Sequence, residues 1–171
     1  VVTTLLDGDD EKVFDAVERF YLTNSENGMF FGVLADLPTG DKQDMPGDAE
    51  ILRSALERIR ILNERHGSRF CLLVRRRTQS SGGAYSGRER KRGAIEDLIR
   101  LLRGRGNAFS VVEGSLPEDL RFLITLDSDT NLPAGGAAAL TGALLHPLNR
   151  PQIKNGRIAF GYGIIQPAVS T

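Results

Sequence analysis

The chain has 171 residues, 40% hydrophobic and 26% charged, the composition of one folded domain rather than of a disordered or collagen-like chain. Lys+Arg and Asp+Glu are both 22, so the formal charge is zero and the general electrostatic case for a nucleic-acid binder is lost. Cys71 is the single cysteine, which excludes an intramolecular disulfide and a four-cysteine zinc site.

No run of apolar residues approaches the roughly 20 that a membrane helix needs, and no basic-then-apolar signal peptide opens the chain. The sequence starts on Val-Val-Thr-Thr-Leu-Leu and stops on Ile-Ile-Gln-Pro-Ala-Val-Ser-Thr, and it reads as a piece of a larger protein. Segments of β character alternate with helical ones, the signature of an α/β domain with a mostly parallel sheet. Residues 1–6 read as a buried strand, followed by a helix with Asp9 or Asp10 as N-cap and Val13, Val17, Phe20 and Tyr21 on one face. Gly28 breaks the pattern, and residues 29–37 read as a second strand ending near Asp36. A polar loop, 38–47, leads to a helix capped by Gly47 or Asp48, striped by Leu52, Ala55, Leu56, Ile59 and Leu62 and stopped at Gly67.

Residues 70–74 read as a third strand, with Cys71 buried and inert inside it. From Arg75 to Arg105 there are ten basic residues against three acidic ones, interrupted by Ser80-Ser81-Gly82-Gly83, which reads as a mobile loop. Ile95, Leu98, Ile99 and Leu102 fall at helical spacing, predicting an amphipathic helix over 93–103. Residues 122–126 form an apolar run that predicts a strand delivering Asp127-Ser128-Asp129-Thr130 at its end. Residues 133–145 predict a helix of small residues suited to close packing on the sheet, and 157–169 one long strand or a glycine-bent pair.

Three groups can do chemistry. Asp127 and Asp129 stand at i and i+2, so in extended backbone both carboxylates would face one crevice beyond a strand end, about 6 to 7 Å apart at Cα. Two hard oxygen donors there suit Mg²⁺ or Mn²⁺, with water and phosphate oxygens completing the shell; the competing reading is a pair of turn-forming Asx residues. The run Arg88-Glu89-Arg90-Lys91-Arg92-Gly93 precedes a helix, where cations and free N–H groups suit a diphosphate, or it is simply a solvated basic run. Asp36, at the end of the second strand, is placed to accept from a ribose or base. A phosphate loop and a Gly-x-Gly-x-x-Gly turn are both missing, and His66 and His146 lack a second histidine at ligand spacing.

Taken together, these residues resemble the glycosyltransferase domain of the cyclic β-1,2-glucan synthases, large membrane enzymes of bacteria. Four blocks carry the resemblance: Glu89-Arg90-Lys91-Arg92-Gly93 with its helix ending Leu101-Leu102-Arg103-Gly104, Leu126-Asp127-Ser128-Asp129-Thr130-Asn131-Leu132-Pro133, His146-Pro147-Leu148-Asn149-Arg150-Pro151, and Gly161-Tyr162-Gly163-Ile164-Ile165-Gln166-Pro167. Tyr21-Leu22-Thr23-Asn24 adds to them. An aromatic pair usually precedes the basic block in the family, and here Tyr85-Ser86-Gly87-Arg88 stands instead.

The resemblance implies a GT-A fold, a Rossmann-like three-layer nucleotide-diphospho-sugar transferase domain truncated at its C-terminal side, with 1–171 as one partial domain. It implies binding of UDP-glucose and inverting transfer of glucose to a growing glucan acceptor, on the cytoplasmic side of the bacterial inner membrane. Asp36 would match the carboxylate near the uridine, Arg90, Lys91 and Arg92 the diphosphate-side cations, and Asp127 with Asp129 the metal and sugar-nucleotide motif. No catalytic residue is assigned: an inverting transferase needs a general base, and the resemblance places it beyond Thr171, so the chain alone would bind donor without completing transfer. Homo-oligomer formation through an exposed sheet edge is a further expectation. The alternative is a non-catalytic α/β module that holds an anionic partner through Arg75–Arg105.

Overall fold

The computed structural model describes residues 1–26 and 28–167. Strands β1 (Val2–Leu5), β2 (Phe31–Asp36) and β3 (Phe70–Arg75) alternate with helices α1 (Glu11–Thr23) and α2 (Asp48–His66). The two-residue strands β4 (Thr78–Gln79) and β5 (Tyr85–Ser86) precede α3 (Arg90–Leu102), β6 (Phe109–Gly114), β7 (Leu126–Asp127) and α4 (Gly136–Leu145). A 3-10 turn over Pro147–Asn149 leads to a final hairpin of β8 (Gln152–Lys154) and β9 (Arg157–Phe160).

The main sheet has five strands in the order β6-β3-β2-β1-β7. β1 pairs in parallel with β2 and with β7, and β2 in parallel with β3, while β6 runs antiparallel to β3 at the edge. Successive strand side chains point to opposite faces, and the core divides accordingly. Val33, Ala35, Phe70, Leu72 and Val74 pack against Val13, Phe14, Val17 and Phe20 of α1 and Ala55, Ile59 and Leu62 of α2. Leu34, Cys71, Leu73 and Phe109 pack on the other face against Ala94 and Leu98 of α3. The result is a three-layer α/β/α arrangement with a mostly parallel sheet, as the alternating pattern predicts.

Several expectations need correction. The strand expected over residues 122–126 is observed as β7, Leu126–Asp127 alone, paired with β1 at Val2↔Leu126 and Thr3↔Asp127, while the Val1 ammonium donates to the Ile124 carbonyl at 2.7 Å. Phe122, Leu123 and Ile124 are half-buried and line an apolar cavity of about 420 Å³ together with Leu98 and Leu102 of α3 and Leu145 of α4. β6 was not anticipated, because Ser110 and Glu113 hide the apolar pattern of a half-exposed edge strand. Ser80-Ser81-Gly82-Gly83 is the turn of the β4–β5 hairpin, closed by Ser80 N–H donating to the Ala84 carbonyl at 2.8 Å. α3 starts at Arg90, three residues earlier than predicted.

α4 does not pack closely on the sheet, since Ala137 is its single buried residue; its small apolar residues run round the whole helix and define no one face to bury. The expected strand over 157–169 is β9 alone, paired with β8, and residues 168–169 lie outside the described residues. Asp10 occupies the α1 N-cap position, but its carboxylate accepts from the N–H groups of Asp7 and Gly8 rather than from the helix.

Candidate functional site

Open α/β sheets bind ligands beyond the carboxyl ends of their strands, at the point where strand order reverses. Here β2 and β3 are laid down on one side of β1 and β7 on the other, so the reversal lies between β1 and β7. Asp127 is the last residue of β7 and stands opposite Thr3 of β1. Its Oδ1 accepts from Lys91 Nζ at 2.6 Å and lies 3.4 Å from the Thr3 hydroxyl. Two predicted site residues, 36 positions apart, are thus brought together by α3 arriving over the end of β7.

The turn after β7 is closed by main chain and by Thr130, whose N–H donates to the Asp127 carbonyl at 3.0 Å and whose hydroxyl accepts from the Asp127 N–H at 3.3 Å. Neither aspartate carboxylate is used for it, which removes the Asx-turn reading for Asp127. Ser128 and Asp129 form the turn itself, so the expectation that Asp127 and Asp129 share one face of an extended strand does not hold. Both carboxylates are exposed. The Lys91–Asp127 pair is 42% and 56% exposed on its two sides, a setting in which an ion pair contributes about 0.2 to 1 kcal/mol and can be displaced cheaply by a ligand.

Among the described residues no cluster of three or more His, Cys, Asp or Glu side chains could cage a metal ion. Mg²⁺ needs less from the protein, since it is held by one or two carboxylates together with substrate phosphates and water. Exposed Asp127, at the end of β7, and Asp129, two residues on in the turn that follows, fit that mode.

Asp36 is engaged elsewhere. Its Oδ1 and Oδ2 accept from Arg75 Nε at 2.7 Å and Nη2 at 2.6 Å, a bidentate pair whose arginine side chain is 2% exposed. Arg75 also donates to Asp97 of α3 at 3.2 Å and to the carbonyls of Arg88 and Arg90 at 2.8 and 2.9 Å. Burial disfavours the guanidinium charge, and Asp36 followed by Asp97 outweighs that, so its pKa is raised. The carbonyls it holds flank Glu89 and Arg90, whose φ angles of 53° and 45° put two non-glycine residues in the left-handed region. Such a conformation costs on the order of 1 to 3 kcal/mol per residue and persists where neighbours enforce it. The chain is wound so tightly here that a Cβ on Gly87 would lie 2.3 Å from the Asp36 carboxylate, and one on Gly93 would lie 1.9 Å from the Arg88 carbonyl.

The basic run is not a free cationic patch. Arg77 is as buried as Arg75 and is tied to Asp48, Pro38 and Gln43. Arg88 and Arg92 pair with Glu89 and Glu96, and Arg100 with Glu96 and Asp97. Arg90 is exposed and enters the site through its main chain, whereas Lys91 alone of this block reaches Asp127. This internal pairing counts against the anionic-partner alternative.

Sequence reasoning missed Arg75, Asp97 and Thr3, and gave Asn24 no role of its own. The signals were present: Arg75 continues an unbroken apolar strand, and Asp97 sits beside Ala94 and Leu98 on the buried face of α3. Asn24, 1% exposed, accepts from the Ala137 N–H at 3.0 Å and donates to the Pro133 carbonyl at 3.3 Å, tying the end of α1 to the start of α4.

No family model matches the chain. Over 162 aligned residues, 90% of its length, it is 35% identical to the cyclic beta-(1,2)-glucan synthase NdvB of Rhizobium meliloti (strain 1021), and it spans 6% of that protein. The resemblance read from the sequence blocks is therefore borne out along nearly the whole chain, which is similar to one segment of a much larger cyclic β-(1,2)-glucan synthase.

Proposed function

We propose that this chain is the donor-binding part of a glucan-synthase glycosyltransferase of GT-A type, taking UDP-glucose in the crevice between β1 and β7. The observation that carries the reading is the meeting of Asp127 and Lys91 at the strand-order reversal, exposed and cheaply separable. The relationship to a cyclic β-(1,2)-glucan synthase supports a glucosyl donor and a glucan acceptor. Asp127 and Asp129 would hold Mg²⁺ or Mn²⁺, which when bound offsets the charge of a departing diphosphate. Lys91 supplies a compact cation on the same side, released from Asp127 as the donor enters. Transfer with inversion requires a base for the acceptor hydroxyl, and we place that base outside these 171 residues. In the whole protein the site would face the cytoplasm, where the donor is made; among the described residues no helix is long and apolar enough to cross a membrane.

Calorimetric titration with UDP-glucose, with and without Mn²⁺, tests the reading against an Asp127→Ala/Asp129→Ala double variant shown to be folded by circular dichroism. Binding that needs the metal and disappears in the double variant is the expected result. Binding indifferent to both, or no binding by the folded parent chain, would overturn it.

A further inference from the structure

Asp36 is the carboxylate that the resemblance assigns to the uridine, yet both its oxygens accept from one buried guanidinium, and Gly87 packs against what remains of the carboxylate. Arg75 in turn spends its other donors on Asp97 and on the carbonyls of Arg88 and Arg90. An arginine is needed for this, because only a planar fork of five N–H donors reaches two carboxylates and two carbonyls at once. The two carbonyls bracket the left-handed residues Glu89 and Arg90, and the next residue is Lys91, whose ammonium lies 2.6 Å from Asp127.

We propose that Arg75, clamped between Asp36 and Asp97, is a positioning residue: it holds the left-handed turn at the start of α3 and thereby sets Lys91 over Asp127. Asp36 then acts on the site through Arg75 rather than by touching the nucleotide. The arrangement links the ends of β2, β3 and β7 through one helix terminus, so the ion network and the crevice are a single mechanical unit. The binding consequence rests on the donor reading above; the structural consequence does not.

The test combines amide exchange with donor titration in Arg75→Lys, which keeps a charge but loses the fork. Exchange over residues 88–93 should rise at least tenfold while β2 and β3 stay protected. The Kd for UDP-glucose with Mn²⁺ should weaken by about tenfold in Arg75→Lys and similarly in Lys91→Ala, and the double variant should be no weaker than either single one. If Arg75→Lys does not fold, Asp97→Asn removes one arm of the clamp, keeps the Asp36 pair and should move the same readouts by a smaller factor. Unchanged exchange over 88–93 in a folded variant, or losses from positions 75 and 91 that multiply, would overturn the proposal. Should the parent chain bind no donor, the donor reading fails and the exchange result alone decides the positioning role.

Discussion

At the scale of single residues, buried guanidinium groups organise much of the crevice end of the molecule. Arg77 is the second of them: its Nη2 donates to Asp48 Oδ1 at 2.8 Å and its Nε to the Pro38 carbonyl at 2.7 Å, pinning the loop before α2. Arg77 beside Asp48 holds that carboxyl below the usual carboxylate range, against burial that would raise it, with the Met45 N–H adding to the depression. A lowered carboxylate pKa means that the folded state binds fewer protons than the unfolded one. The pair's contribution is thus complete above the ordinary value of about 3.9 and is lost as pH falls through the depressed one. Urea melts between pH 7 and pH 3 should show stability dropping on the acid side, and Asp48→Asn should flatten that drop. Arg77→Ala leaves the half-buried Asp48 carboxylate with the Met45 N–H alone and should cost about 1 to 3 kcal/mol at pH 7; a loss under about 0.5 kcal/mol would mean that the loop is held by something else.

At the scale of elements, the ties between helices and sheet come from side chains far apart in sequence. α4 buries one residue, and its first turn is capped by Asn24 from the end of α1, 113 positions earlier. Asn24→Ala removes this cap and leaves the buried Ala137 N–H without its partner, which should cost about 1 to 3 kcal/mol. The loss should be local, so amide exchange should rise across α4 while β1, β2 and β3 stay protected; uniform loss across the sheet would refute the view of Asn24 as a local tie. The Tyr21-Leu22-Thr23-Asn24 block has a physical role in this tie, since the Thr23 carbonyl also accepts from the Gly135 N–H at 3.2 Å. The Cys71 thiol, by contrast, sits buried near the start of β3 with its pKa pushed by burial up to about 11, which is what an inert core cysteine looks like.

At the scale of the whole molecule, charge is segregated in sequence and recombined in space. Residues 1–50 hold twelve acidic and three basic side chains, and the basic segment from Arg75 folds back onto two of those acids, Asp36 and Asp48. A chain of zero formal charge whose basic segment has Arg75, Arg77, Arg88, Lys91, Arg92 and Arg100 tied to carboxylates has fewer cations in that segment to release counterions from a polyanion. Fluorescence anisotropy with labelled single-stranded DNA or heparin should show no binding at 150 mM salt. Tight binding with a steep salt slope would revive the anionic-partner alternative.

How much of this was legible follows from the range of each interaction. Hydrophobic periodicity is local, so β1, β2, β3, α1, α2 and the amphipathic part of α3 could be read within a few residues of their observed ends, and the placing of Asp36 and Asp127 at strand ends came with them. The α/β class, the buried strands and the resemblance to a glucan synthase were all legible from local pattern in the chain. Packing in three dimensions sets where the strand order reverses and that Asp127 meets Lys91 while Asp36 turns to Arg75. Those outcomes depend on parallel register and on ion pairs between residues 36 and 39 positions apart, and no local pattern of apolar and polar residues encodes which distant partner a charge will find.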